Sequence, residues 1–425
     1  MKPAGPDIEI SLWFYEDEYN ACEIEVYCIS ALMMLFFSDK KSSQKLTMKR
    51  RNNAEAKKSG DKNKQKSEKP KPKEKGQSFC QVWTICMLLI GIHEISHTKG
   101  HCYVSLCLIL FLGYLVLPLL LLIIPGLATK LIFLSFIRWP VFVDFHLPEQ
   151  YNITATQNVY LTAEDGVNIG VWQVLPESLG HRFKGSSEEN TGLFDEALGD
   201  DKPVVLYFHG NSGTRATYHR ILLYKLLASM DVHVIAVDYR GFGDSGGIAT
   251  ADKIQHDMET VYRWAKERTK NSEVYIWGHS LGTGLSSVFT ANLCKAGNCP
   301  SGLILESPFN NLLDEVAFHP FGAPWWIVPG YNSLIRYAFK EGAEYFQSDE
   351  SIDKITCPIM ILHAKDDVVV PYNLGRKLYE VGQEKRPKEA PTIKFVSFEA
   401  ERQLGHKYIV RAPELSSIVR DFIKM

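Results

Sequence analysis

Two kinds of apolar pattern divide the chain. Residues 103–124 (YVSLCLILFLGYLVLPLLLLII) form one run without a charged side chain, whereas from residue 158 onward short apolar runs alternate with stretches of helical period. The long run has no polar face, unlike the amphipathic helix of a soluble core. About 20 apolar residues in a helix match the thickness of a bilayer core, and Pro118 is tolerable in such a helix. A single transmembrane helix is therefore expected over 102–126. Residues 79–92 are also apolar but too short to span comfortably, which suits an interfacial segment. Residues 131–143 are similar, interrupted by Arg138 and Pro140, and are expected to rest on the membrane surface.

The later pattern reads as a series of strands and helices. Residues 158–163 and 168–176 suit an antiparallel pair turning at Glu164, Asp165 and Gly166. A polar loop is expected over 177–202. Residues 203–208 (PVVLYF) are continuously apolar, as strands buried on both faces of a parallel sheet are. Over 214–230, Tyr218, Ile221, Leu222, Tyr224, Leu226 and Leu227 recur at roughly helical spacing. Strands at 232–237, 273–277, 302–306, 358–362 and 393–398 then alternate with helices at 251–269, 281–291 and 413–423. Such alternation predicts an open, mostly parallel sheet with helices on both faces, forming a C-terminal domain over 150–425. Residues 309–356 insert between two of its strands and carry Phe318, Phe321, Trp325, Trp326, Ile327, Tyr331, Ile335, Tyr337 and Phe339. These either line an apolar channel or pack the insertion onto the domain.

Charge adds an orientation. The net charge of −2 says nothing of partners, but lysines and arginines dominate residues 40–75. That stretch cannot bury apolar area, so within an N-terminal region of 1–101 it is expected to be a disordered, solvated tail. No base-reading fold follows it, so nucleic acid is not an expected partner. Positive charge before the span puts the N-terminus in the cytoplasm and the C-terminal domain in a lumen or outside. The glycosylation triplet Asn152-Ile153-Thr154, just after the span, agrees. A second span at 79–92 would reverse this orientation. Of the cysteines, Cys294, Cys299 and Cys357 fall in the C-terminal domain; a Cys294–Cys299 disulfide and free buried thiols both remain open. Nothing in the pattern specifies an oligomeric state.

The chemistry centres on WGHSLGTG, residues 277–284, where Gly278, Ser280 and Gly282 form G-x-S-x-G. A buried strand runs into the motif and a helix leaves it, the context in which this turn presents a serine hydroxyl above the sheet's carboxyl edge. A serine hydroxyl needs a base, and the base an orienting acid. In this architecture the order is serine, acid, histidine. After the 358–362 strand come Asp366 and Asp367. Asp367 heads D-x-x-V-P (Val370, Pro371) and is favoured over Asp366, with Glu306 a third candidate. His406, in LGHKYI between the last strand and last helix, is the only histidine beyond Asp367. His279 is assigned to packing or a local hydrogen bond, His363 to support of the Asp367 loop, and His319 to the insertion. An oxyanion hole needs two backbone N–H groups. Leu281, after the nucleophile, supplies one, and Asn211, in the HGNSG loop after the 203–208 strand, the other. Arg215 follows that loop and is expected to be a surface arginine at a helix start, with contact to a phosphate head group the alternative.

Two rival motifs fail on context. His93-Glu94-Ile95-Ser96-His97 matches the zinc-protease pattern H-E-x-x-H but sits between apolar stretches with no domain around it. His233 and Asp238 match H-x4-D within one strand, where residues five apart face opposite sides. No metal and no organic cofactor are expected.

HGNSGT, DYRGFGDSGG, IWGHSLGTG, LESPF, ILHAKDDVVVP and LGHKYI together resemble the α/β-hydrolase serine hydrolases, in particular the membrane-anchored lysophosphatidylserine lipase and monoacylglycerol lipase subgroup. The resemblance runs from about residue 103 to the C-terminus and includes the apolar anchor and Asn152. It implies the α/β-hydrolase fold with a small cap at 309–356, a triad of Ser280, Asp367 and His406, and an endoplasmic reticulum membrane protein with a lumenal site. The expected reaction is hydrolysis of a lysophospholipid or monoacylglycerol ester at the membrane. A thioesterase or depalmitoylase of the same fold, and a non-catalytic binding protein on it, are the alternatives.

Overall fold

The apolar runs become the strands β1 (Thr156–Thr162), β2 (Asn168–Val174), β3 (Val204–Phe208), β4 (His233–Val237), β5 (Val274–His279), β6 (Gly302–Glu306), β7 (Ile359–Ala364) and β8 (Ile393–Phe398). They form one eight-stranded sheet in the order β1-β2-β4-β3-β5-β6-β7-β8. β1 and β2 are antiparallel, as is β2 with β4; β3 to β8 run parallel. The computed structural model describes residues 101–124, 126–153, 155–182 and 191–423, all within one unit, Met87–Met425. The basic stretch 40–75, the apolar stretch 79–92 and the H-E-x-x-H motif lie outside the described residues.

The helices are α1 (His101–Ile123), α2 (Leu127–Ile132), α3 (Thr191–Ala197), α4 (Tyr218–Ser229), α5 (Ala251–Arg268), α6 (Leu281–Lys295), α7 (Leu312–Phe318), α8 (Tyr331–Ala338), α9 (Ser348–Ser351), α10 (Tyr372–Lys385) and α11 (Leu415–Phe422). Alternation along the strands makes two cores. From β3, Val204, Leu206 and Phe208 enter one face with Ile254 and Met258 of α5, Leu285 and Phe289 of α6, and Leu374 and Leu378 of α10. Val205 and Tyr207 enter the other with Ile221, Tyr224 and Leu227 of α4 and Leu415 and Val419 of α11. Side chains at successive strand positions point to opposite faces, so one continuous apolar run feeds both layers.

Three segments differ from expectation. The loop 177–202 contains α3, because Phe194 is fully buried with Ala155 and Leu175 and its carbonyl accepts from the Gln173 side chain at 2.7 Å. Helix α10 falls between two expected strands, where no element was expected, and it contains Gly375 and Gly382. Both are close-packing positions: a Cβ on Gly375 would overlap the His363 ring, and one on Gly382 would overlap Ile352 and Ile393. The insertion's aromatics divide. Trp325, Tyr331, Ile335 and Phe339 are buried in the core, whereas Phe318, Trp326, Ile327 and Tyr337 are exposed.

Helix α1 has 23 residues with Pro118 inside, and its C-terminal part packs on α8, burying Leu121. Most side chains in its first half lie outside the description, and among the described residues no helix is long and apolar enough to cross a membrane. Asn152 is exposed at the end of a one-turn helix, Pro148–Tyr151.

Candidate active site

Ser280 joins β5 to α6 at φ 53°, ψ −121°, a conformation that costs an L residue energy. The turn is sharp enough to lift the hydroxyl off the sheet. It closes through the Ser280 N–H, which donates to the Glu306 carbonyl at 2.9 Å. The Thr283 hydroxyl donates to the Ser280 carbonyl at 2.6 Å. Its glycines leave room for that geometry. A Cβ on Gly278 would lie 2.6 Å from the Gly282 carbonyl oxygen, and one on Gly282 would overlap the carbonyl oxygens of Phe208 and His209. Gly282→Ala is therefore expected to lower unfolding stability by about 1–3 kcal/mol or more, seen as a reduced Tm together with loss of Ser280 reactivity.

Three strand ends bring the other residues to this point. Asp367 follows β7 and His406 follows β8, so all three leave the carboxyl edge of the parallel sheet. Ser280 Oγ lies 2.8 Å from His406 Nε2, and His406 Nδ1 lies 2.8 Å from Asp367 Oδ2. A carboxylate only accepts, so Nδ1 carries the proton and the Nε2 lone pair faces the serine. Asp367 Oδ1 accepts from the backbone N–H groups of Val369 and Val370, each at 2.9 Å. Burial would raise the Asp367 carboxyl, but the His406 and His363 imidazoles hold it far below the usual carboxylate range. All three residues are nearly buried.

The neighbouring candidates take supporting places. Asp366 Oδ2 accepts from the Gly405 N–H at 3.0 Å and so holds the loop that presents His406. Glu306 accepts from Trp277 Nε1 at 2.9 Å; burial pushes it up to about 7, away from the ionised state an orienting acid needs. His279 Nε2 donates to the His406 carbonyl at 3.0 Å. His363 Nε2 donates to the Val370 carbonyl at 3.1 Å, supporting the Asp367 loop as expected. His319 is brought near the site by the insertion: burial, then the charge of His406, push it down to about 4.

Arg215 is neither a surface residue nor a ligand for a head group. It is fully buried, bonded to Asp238 and Asp244 at 2.7 Å each and to Asn158 at 2.6 Å, and it stacks 4.0 Å from the Phe145 ring. His233 bonds Asp200 and Asp238 contacts His209, so the H-x4-D pair does not meet.

Asn211 lies in the loop after β3. A Cβ on the adjacent Gly210 would sit 3.3 Å from Ser280 Cβ, so this backbone passes directly over the nucleophile. Leu281 is the first residue of α6, where helix N–H groups have no intrahelical partner. Arg220 was not singled out in the sequence. It is buried, donating to the Ser212 carbonyl at 2.5 Å and the Thr214 carbonyl at 2.7 Å. Nothing in its place on an apolar helix face distinguishes it from a solvated arginine.

Cys294 and Cys299 form a disulfide, and Cys357 is a buried free thiol. Among the described residues these sulfurs are the one grouping close enough to share a metal ion, and the disulfide occupies two of them.

A strained serine between strand and helix, with acid and base from the ends of β7 and β8, defines the molecule as an α/β-hydrolase of the serine type. Residues 203–340 match the family model for the alpha/beta hydrolase fold. The chain is 41% identical over 317 residues to lysophosphatidylserine lipase ABHD12 of Xenopus tropicalis, covering 74% of this chain and 81% of that one. It is 40% identical over 320 residues to lysophosphatidylserine lipase ABHD12 of Rattus norvegicus, covering 75% and 79%. With protein ABHD12B of Homo sapiens it shares 36% over 299 residues, covering 70% and 80%. The chain belongs to this ABHD12 family.

Proposed function

We propose that this protein is a membrane-anchored lipase that hydrolyses the acyl ester of lysophosphatidylserine, of monoacylglycerols, or of both. The observation that carries the reading is the continuous relay from Ser280 Oγ through His406 to Asp367, 2.8 Å at each step. Ser280 Oγ attacks the ester carbonyl as His406 Nε2 takes its proton. Asp367 keeps the imidazole in the required tautomer and stabilises the imidazolium. The N–H groups of Asn211 and Leu281 receive the oxyanion. His406 then protonates the departing glycerol oxygen. A water, deprotonated by the same imidazole, releases the fatty acid from Ser280.

Membrane attachment rests on the uncharged run 103–124. A helix over that run would extend about 33 Å at roughly 1.5 Å per residue, near the thickness of a hydrocarbon core. The basic residues before it favour a cytoplasmic N-terminus and a site in the lumen of the endoplasmic reticulum. The exposed Asn152 and the Cys294–Cys299 disulfide support that side, since disulfides persist in oxidising compartments. Asn152 is then the glycosylated residue. The ABHD12 relatives named as lysophosphatidylserine lipases make that lipid the first substrate to try.

Membranes carrying the full chain should release fatty acid from lysophosphatidylserine or monoacylglycerol at least about tenfold faster than from an S-acylated peptide. Faster cleavage of the thioester would replace the lipase reading with a depalmitoylase.

A further inference from the structure

The loop over Ser280 reads His-Gly-Asn-Ser-Gly, residues 209–213, a composition with little intrinsic preference for one backbone path. Yet four successive peptide planes in and after it are held. The Gly210 carbonyl accepts from His209 Nδ1 at 2.7 Å, which fixes the plane carrying the Asn211 N–H. The Asn211 carbonyl accepts from the Leu134 N–H at 2.9 Å, the Gly213 N–H donates to the Ile137 carbonyl at 3.0 Å, and the Thr214 N–H donates to the Trp139 carbonyl at 3.2 Å. Three of the four partners belong to one short segment, residues 133–139. It leaves α2 immediately after α1, and its first residue, Phe133, is buried against Phe346 with ring centroids 6.0 Å apart.

The segment acts through its main chain. Phe136 is exposed, as is Arg138, while the N–H of Leu134 and the carbonyls of Ile137 and Trp139 face the loop. Thr217 fastens the two together: its hydroxyl contacts the Trp139 carbonyl at 3.1 Å and the Thr214 carbonyl at 2.8 Å. A plain tether between an anchor and a domain would need no such set of backbone bonds.

We propose that residues 133–139, which join the apolar helix to the hydrolase domain, are a positioning element for the oxyanion site, their backbone fixing the three peptide planes that follow the Asn211 N–H and so holding Asn211 in place beside the plane that His209 sets. The inference rests on Asn211 being an oxyanion donor, as read above. Ordering the loop before substrate arrives removes an entropic cost from the reaction. It also makes the anchor junction part of the catalytic apparatus, since a displacement of about 1 Å at such a site can cost roughly 100-fold in rate.

The test uses the full chain in membranes. Leu134→Pro deletes the N–H that holds the Asn211 carbonyl, and Leu134→Ala keeps it. Phe133 is already extended (φ −109°, ψ 92°), as a residue before proline must be. Two probes separate positioning from packing: a long-chain trifluoromethyl ketone and an unreactive ether of the same chain length. Ser280 Oγ adds to the ketone carbonyl, its proton passes to His406 Nε2, and the carbonyl π pair becomes an oxyanion in the proposed hole.

Leu134→Pro is expected to lower kcat and ketone affinity together, by about 10- to 100-fold, with KM and ether affinity within about twofold. Leu134→Ala should match wild type. Thr217→Val, an isosteric change in a helix cap, should give the same split at about 5-fold, and Thr217→Ser should restore it. Unchanged kcat and ketone affinity in both Leu134→Pro and Thr217→Val overturns the proposal. So does equal loss of ketone and ether affinity, which is the signature of a packing role. A wild type that binds the ketone no better than the ether would instead remove the oxyanion reading itself, and this proposal with it.

Discussion

Ser280→Ala should lower kcat/KM for the lipid ester by roughly 10^5-fold while leaving a folded protein. The loss corresponds to about 7 kcal/mol of transition-state stabilisation. It arises because, among the described residues, Ser280 Oγ is the hydroxyl bonded to His406 Nε2. Ser286 and Ser287 are both buried in the second turn of α6, and the Ser287 hydroxyl is committed to the Thr283 carbonyl at 2.8 Å. Folding should be little affected. The substitution removes one hydrogen bond, that to His406, worth about 1 kcal/mol, and alanine meets the same backbone conformation that serine already tolerates at φ 53°. Activity need not fall to the uncatalysed rate, since the proposed oxyanion donors remain. The check is threefold: initial rates on lysophosphatidylserine, a thermal melt, and labelling with a fluorophosphonate, which bonds to an activated serine. Wild type should label and the variant should not. Persistent labelling of Ser280→Ala would move the nucleophile elsewhere and remove the basis for the mechanism.

What the sequence made legible was local. The turn at Ser280 needs its glycines within two residues on either side, so G-x-S-x-G carries its own geometry, and Asp367 is recognisable because the backbone that fixes it, Val369 and Val370, follows directly. The inner strands β3 to β7 were readable because each is buried on both faces and so almost continuously apolar. Their ends were less so: β5 extends through Gly278 and His279 because these pair with Phe208 and Glu306 on the neighbouring strands, a cause the strand itself does not contain. The same holds for Arg215. Its burial depends on Asn158, Asp238, Asp244 and the Phe145 ring, which converge only after the sheet has formed, so an arginine at the start of a helical pattern reads as solvated. Arg220 and the 133–139 segment escape notice for a related reason. They act on backbone carbonyls and amides, and any sequence offers those.

The choice between the two adjacent aspartates yields the second large effect. Asp367→Asn should lower kcat by about 10^4-fold with little change in KM. The backbone N–H groups of Val369 and Val370 require an acceptor at Oδ1, so the asparagine carbonyl oxygen settles there and its NH2 turns towards His406 Nδ1. Two donors cannot share a hydrogen bond. The imidazole must then present its lone pair at Nδ1 and carry its proton on Nε2, the nitrogen 2.8 Å from Ser280 Oγ, where it can no longer accept the serine proton. Asp366→Asn has no such consequence. Its bond is to the Gly405 N–H at 3.0 Å, which an amide oxygen satisfies equally, so kcat should stay within about tenfold of wild type. Glu306→Gln should also leave kcat nearly unchanged, because an amide oxygen still accepts from Trp277 Nε1 and the carboxyl contributes no contact to His406 that the mechanism uses. Steady-state kinetics on the three variants, with melts to confirm folding, decide the matter. A 10^4-fold loss in Asp366→Asn alongside near-normal turnover in Asp367→Asn would transfer the orienting role to the neighbouring residue and contradict the 2.8 Å contact from which Asp367 draws its place.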